Sequence, residues 1–178
     1  FNRVALKAVK LPSIDDYKKT WKTIIRSSGI GSFIGVLPAE GGTVASLIGY
    51  AEAKRWSKKP EDFGKGSIEG IAGAEAANNA ATGGAMVPTL ALGIPGSATT
   101  AVILTGLIIH GVRPGPDLFR EQPEFLYGIF GSMLIANILF FVLGFFGAKI
   151  FARITLVPNK LLWPMIFAVS VCGTYSLN

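Results

Sequence analysis

Ser97, Thr99 and Thr100 follow directly on Gly93-Ile94-Pro95-Gly96, inside an otherwise apolar run from residue 70 to 111. Pro95 lacks an N–H and crowds the turn before it. Gly93 and Gly96 admit backbone angles that other residues avoid, so a helix is expected to open here. A helix that restarts after Gly96 leaves its first N–H groups without intrahelical acceptors and carries the positive end of the helix dipole, which is the chemistry of an anion cradle. The three hydroxyls add neutral donors for carboxylate oxygens, without the cost of placing Lys or Arg at membrane depth. Capping alone would need one such residue, and the chain supplies three. Substrate contact is therefore expected at Gly96, Ser97, Thr99 and Thr100.

Upstream, Asn78, Asn79 and Thr82 lie in an Ala- and Gly-rich stretch with Gly83 and Gly84, where small residues let helices approach closely. Amide and hydroxyl oxygens, with the carbonyls freed near Gly93, are hard ligands of the kind that broken-helix transporters use for Na⁺. Hydrogen bonding between helices is the competing account. A second break, Pro38-Ala39-Glu40-Gly41-Gly42-Thr43, interrupts the apolar stretch 27–53. Gly41, Gly42 and Thr43 are expected on the substrate side. Pro38, Asn78, Asn79, Thr82 and Gly93 form the expected cation-binding set, with Asn78 and Asn79 as Na⁺ ligands and no other cofactor. Glu40 at the hairpin tip could help hold a cation or titrate, or emerge into an aqueous cavity and do neither; it is not counted among the substrate contacts, because it would repel an anion unless neutralised. Glu75 and His110 are read as edge or capping residues.

These residues have to be positioned by helices in a bilayer. Half of the 178 residues are hydrophobic and 16% are charged, against about 25% charged in soluble domains. The seventeen Lys and Arg cluster in 1–26, 54–65, 113–120 and 149–160, flanking apolar stretches as the positive-inside rule describes. The fold class expected is an all-α membrane protein. Residues 1–26 form an amphipathic interfacial segment, opened by Ser13 as an N-cap, and 27–53 a re-entrant helical hairpin. Residues 54–69 are a cytoplasmic loop and 70–111 a broken transmembrane helix, read as one crossing, with a second hairpin as the alternative. A periplasmic loop at 112–124 leads to a spanning helix at 125–148, and 160–178 begin the next span. Two interrupted apolar segments in one short stretch point to a secondary transporter, of which this would be one half of an internal repeat.

Other classes find little support. A nucleic-acid binder would carry its basic residues on one face with aromatics between them. No G-x-x-x-x-G-K-[ST], H-E-x-x-H or G-x-S-x-G occurs, and the single His and single Cys lie far apart, so no enzyme is expected. Cys172 is expected to pack. A passive channel or structural scaffold, whose breaks merely accommodate packing, is the alternative to transport.

The ordered motifs IGVLPAEGGTVAS, FGKGSIEGIAGAEAANNAATGG and MVPTLALGIPGSATTAVILTGLIIHGVRPGPDLF, spanning residues 34–119, resemble the large membrane subunit of the tripartite tricarboxylate transporter family. The resemblance implies cation-coupled import of citrate or related carboxylates across the bacterial inner membrane by a multi-pass subunit. It also implies a periplasmic solute-binding protein and a small membrane subunit as partners. The matching positions are Pro38, Gly41 and Thr43 in the first motif, Asn78 and Asn79 in the second, and Gly93, Pro95, Gly96, Ser97 and Thr99 in the third. Where that pattern has Pro-Gly, this chain has Pro38-Ala39.

Overall fold

Ser13 starts the first helix as its side chain predicts. The Ser13 hydroxyl accepts from the Asp16 N–H at 3.2 Å, and the Ser13 N–H donates to the Asp16 carboxylate at 2.9 Å, a reciprocal cap that satisfies donors left over by the first turn. Helix α1 then runs without interruption from Ile14 to Val36. The helix passes through the boundary expected at 26/27, so that residues 14–26 and 27–36 form one helix about 34 Å long. No proline interrupts residues 14–36, and two of the glycines within this stretch, Gly31 and Gly35, are held by packing on Ala77 and Ala81.

The structure, a computed structural model, describes residues 11–38, 41–154 and 157–176. Ala39 and Glu40 at the first break, and residues 1–10 of the expected interfacial segment, lie outside them. The described residues form helices and no strands: α1, α2 (Gly41–Trp56), α3 (Ile68–Leu92), α4 (Ala98–Ile109), the short α5 (Leu118–Glu121), α6 (Pro123–Ile154) and α7 (Asn159–Ser176). A 3-10 turn at Pro60–Asp62 sits between α2 and α3. The expected loop 54–69 is shorter than anticipated, because α2 continues to Trp56 and α3 begins at Ile68. The chain divides into two units, Pro12–Ile129 and a second holding the described residues from Phe130 onward.

In the first unit, α3 is the central element and packs against both α1 and α2 through very small residues. A Cβ added to Gly31 would run into the Ala77 backbone, one on Gly35 into the Ala81 backbone, and one on Gly84 into the Ser32 carbonyl. On the other side, a Cβ on Gly49 would lie 2.6 Å from the Gly73 carbonyl oxygen and from the Ala77 Cβ. Close approach of this kind gains dispersion contact along the whole seam, the means by which helices associate where lipid removes the hydrophobic drive. The pairing also fixes direction. Residues 31 and 35 of α1 meet 77 and 81 of α3, so these helices run the same way, whereas Ala53 and Gly42 of α2 meet Gly73 and Asn78, so α2 runs against them.

The end of this trio that holds Thr23 of α1, Ser57 just after α2 and Glu69 of α3 is tied by polar contacts. The Glu69 carboxylate accepts from the Thr23 hydroxyl at 2.8 Å and from the Ser57 hydroxyl at 2.7 Å. Glu69 sits in the first turn of α3 behind the Ser67 N-cap, where a negative charge is favoured by the helix dipole. Tyr50 and Phe63 meet edge to face, 5.3 Å between centroids, over Gly70.

In the second unit, α6 continues beyond the expected 125–148. Among the described residues, Pro123–Ala148 is the stretch long and apolar enough to cross a membrane, with a mean hydropathy of 2.3. Helices Ala98–Ile109 and Lys160–Tyr175 are apolar but shorter. Cys172, expected to pack, is exposed on α7.

Candidate functional site

Helix α3 opens at Gly93 as the sequence predicts. Gly93 has φ +67°, the left-handed conformation that glycine adopts without a Cβ penalty. The N–H groups of Gly93 and Ile94 both donate to the Pro88 carbonyl. The chain does not restart in line with α3 but doubles back along it. Gly96 is buried against Ala85, and a Cβ there would lie 2.8 Å from the Ala85 Cα, so no larger residue fits without a shift. Thr89 secures this return. Its hydroxyl donates to the Ala85 carbonyl at 2.6 Å and accepts from the Gly96 N–H at 3.3 Å, all within a buried environment. After α4, the Gly115 N–H donates to the Leu90 carbonyl at 2.9 Å, bringing the chain back to the end of α3.

At the new helix start, Ser97 and Thr100 form a reciprocal cap. The Ser97 N–H donates to the Thr100 hydroxyl at 2.8 Å, and the Thr100 N–H to the Ser97 hydroxyl at 3.2 Å. Thr100 is buried, and both hydroxyls are engaged within the turn. Thr99 is exposed at the second position of α4, beside the free N–H groups of the first turn.

At the first break, Gly41 opens α2 with φ +63°, and Gly42 follows, half-buried. The Asn78 carbonyl oxygen sits where a Cβ of Gly42 would be, which brings the amide to the N-terminus of α2. Thr43 is exposed, and its carbonyl accepts from the Ser46 hydroxyl at 2.9 Å. Pro38 is exposed just after α1 ends.

Both helix starts therefore lean on one stretch of α3. Gly42 lies at Asn78 and Gly96 at Ala85, seven residues apart, about 10 Å along the axis and within about 20° of the same face. Asn78 and Thr82 are exposed on that stripe, with Thr89 continuing it. Asn79 is exposed one position round, and Gly93 is half-buried at the far end of α3. The structure thus groups Gly41, Gly42, Asn78, Thr82, Gly96, Ser97 and Thr99 along a single section of α3. Pro38 and Gly93 stand at its ends. Glu75 is exposed on α3, and the ring Nδ1 of His110 pairs with the Gly106 carbonyl at 2.8 Å at the end of α4, a capping contact.

Thr89 and Pro88 were not singled out from sequence. A hydroxyl following a proline inside an apolar helix was the available signal, but the partner, Gly96, becomes its neighbour only because the chain reverses. Arg26 reads in sequence as one basic residue of the amphipathic segment 1–26, and Glu69 as part of the loop 54–69; neither pattern reveals the partners that the fold brings to them. Among the described residues no cluster of three or more His, Cys, Asp or Glu is arranged to hold a metal ion. Asn78, Asn79 and Thr82 place amide and hydroxyl oxygens, donors of the hard type, on this stretch of α3.

Residues 2–178 match the profile of the Tripartite tricarboxylate transporter TctA family. The chain is similar to two proteins of Agrobacterium vitis. One is an uncharacterized 52.8 kDa protein in the TAR-I ttuC' 3'region, 39% identical over 166 residues that make up 93% of this chain and 33% of that one. The other is an uncharacterized protein in the TAR-II ttuC' 3'region, 40% identical over 148 residues, or 83% of this chain and 61% of that one. The chain thus spans only part of the length of these relatives. No solved structure matches it.

Proposed function

The chain belongs to the tripartite tricarboxylate transporter TctA family, and from that premise we propose that it forms part of the transmembrane subunit of a binding-protein-dependent, cation-coupled importer of tricarboxylates or related organic acids. The observation that carries the reading is the pair of helix N-termini, α2 at Gly41-Gly42 and α4 at Ser97, both set against the Asn78 to Ala85 section of α3. Two positive helix ends about 10 Å apart along one face suit a molecule with more than one carboxylate. Thr99 supplies a hydroxyl and Asn78, Asn79 and Thr82 supply neutral oxygens between them. The same oxygens would hold Na⁺, whose charge offsets that of the substrate and links the two in one binding event. The working unit is a multi-pass subunit of the bacterial inner membrane, served by a periplasmic solute-binding protein and a small membrane subunit.

One observation favours a second reading. Ser97 and Thr100 spend their hydroxyls on each other, as residues of a purely structural scaffold would. Uptake separates the two. A hydrogen bond to a charged group contributes about 1.5–3 kcal/mol, which corresponds to about 10- to 150-fold in affinity. Thr99→Ala and Asn79→Ala are expected to lower carboxylate uptake by the complete complex by such a factor, in a manner dependent on sodium and on the binding protein. Uptake unchanged in both variants rejects the site. A panel of mono-, di- and tricarboxylates, with and without sodium, identifies the substrate class and the coupling ion.

A further inference from the structure

At the opposite end of α3 from the stripe, the first half of α1, the segment after α2 and the start of α3 enclose a cavity of about 950 Å³. Seven basic side chains line it against three acidic ones. Two of those acids are already engaged, Asp16 in the cap with Ser13 and Glu69 with Thr23 and Ser57. Seven basic against three acidic groups leave an excess of positive charge in a place that no part of the transport reading uses.

Arg26 defines what that charge is for. Its Nε and Nη2 are buried and have no hydrogen-bond partner in the protein, while the guanidinium carbon lies 5.4 Å from the centroid of the Trp56 ring. Nε–H and Nη2–H point the same way and make the side-on fork of the guanidinium, the face that grips two oxygens of a phosphate or carboxylate at once. The ring of Trp56 holds that plane in position. A donor pair buried without a partner is costly, and an anion entering the cavity beside the Trp56 ring would meet that need.

We propose that this cavity binds the phosphate of an anionic phospholipid headgroup, with Arg26 as the bidentate anchor and Lys58 and Lys59 as flanking charges. The rim carries the argument for a lipid over a soluble phosphate. Trp21, Trp56 and Ile68, all lining residues, are 51%, 64% and 55% exposed. Amphipathic rings and exposed aliphatic groups beside clustered Lys and Arg are the composition of a membrane interface, where acyl chains meet headgroups. A soluble phosphoryl compound would leave those groups facing water.

The test uses the full-length membrane subunit, purified in detergent and examined by native mass spectrometry with added phosphatidylglycerol or phosphatidylcholine. Wild type is expected to retain phosphatidylglycerol at least about tenfold better than phosphatidylcholine. Arg26→Gln and the pair Lys58→Gln/Lys59→Gln are each expected to lose that preference. Lys58 and Lys59 are exposed, so the pair should melt as wild type does without lipid and carries the test even if Arg26→Gln fails to fold. Lys54→Gln, outside the cavity, should keep the preference. A preference that persists in the Lys pair overturns the proposal. Protection by inorganic phosphate equal to that by phosphatidylglycerol also overturns it, and assigns the cavity to a soluble phosphate.

Discussion

Replacing Thr89 with valine keeps the side-chain shape and removes only the hydroxyl, so it isolates the tie that turns the chain back after Gly93. The Ala85 carbonyl keeps its helical donor, the N–H of residue 89, and loses nothing essential. The Gly96 N–H is different, because it is buried and the Thr89 hydroxyl is the acceptor it has, at 3.3 Å. Leaving that donor unmet costs about 1–3 kcal/mol. If the loss falls on local opening, exchange of the Gly96 amide should speed up by about 5- to 150-fold. Hydrogen–deuterium exchange of the 93–100 segment in the purified subunit reads this directly. Thr89→Ser retains the hydroxyl and should leave exchange near wild type while losing about 0.8 kcal/mol for the missing methyl. Exchange in Thr89→Val equal to wild type, with stability changed by less than about 0.5 kcal/mol, would refute the tie.

Three further outcomes follow from the packing and the caps. Gly35→Ala would put its Cβ 2.8 Å from the Ala81 Cα, a backbone atom that cannot swing away, and should destabilise the subunit by about 1–3 kcal/mol. Gly29→Ala meets nothing within 4 Å and should stabilise α1 by about 0.5–1 kcal/mol; detergent-unfolding curves in the opposite order would contradict the seam. Glu69→Gln leaves one carbonyl oxygen where two oxygens accept from Thr23 and Ser57, and a loss of about 1 kcal/mol is expected in the same assay. The hydrogen bonds from the Ser13 side chain and backbone, aided by Lys19, hold the Asp16 carboxyl below its usual range. A depressed carboxylate stabilises the fold fully above its unfolded pKa of about 3.9 and loses that contribution as pH falls through the lowered folded value. Exchange of the first turn of α1 should therefore rise with acidification below that point, and Asp16→Asn should abolish the pH dependence.

The position of the break at Gly93–Ser97 was legible in sequence because Gly, Pro and Ser act on their own backbone, and the Ser13 cap for the same reason. What local chemistry could not supply was direction. Nothing in the residues 93–97 states that the chain reverses onto Ala85, so Thr89 carried no visible partner. The full extent of α1 was not legible because the change from a basic to an apolar run at 26/27 marks a boundary in composition only, whereas packing of Gly31 on Ala77 and Gly35 on Ala81 carries the helix on to Val36 despite the poor helix propensity of glycine. The hydroxyls after Gly96 were read by number, three where a cap needs one. Their division of labour, with Ser97 and Thr100 turned inward and Thr99 outward, depends on side-chain geometry that spacing does not encode.

The glycine seam between α1 and α3 holds the helices close without telling them where to stop. Ser27, Gly31 and Gly35 recur every fourth residue on one helix, and Ala77, Ala81 and Ala85 do the same on the other. A slip of one such step, about 6 Å, would again set small against small, like a smooth rail with evenly spaced notches. The pin is the hydroxyl of Thr23 on Glu69, at 2.8 Å, which no such slip leaves intact. The carboxylate of Glu69 at the head of α3 thus marks which notch the rail occupies.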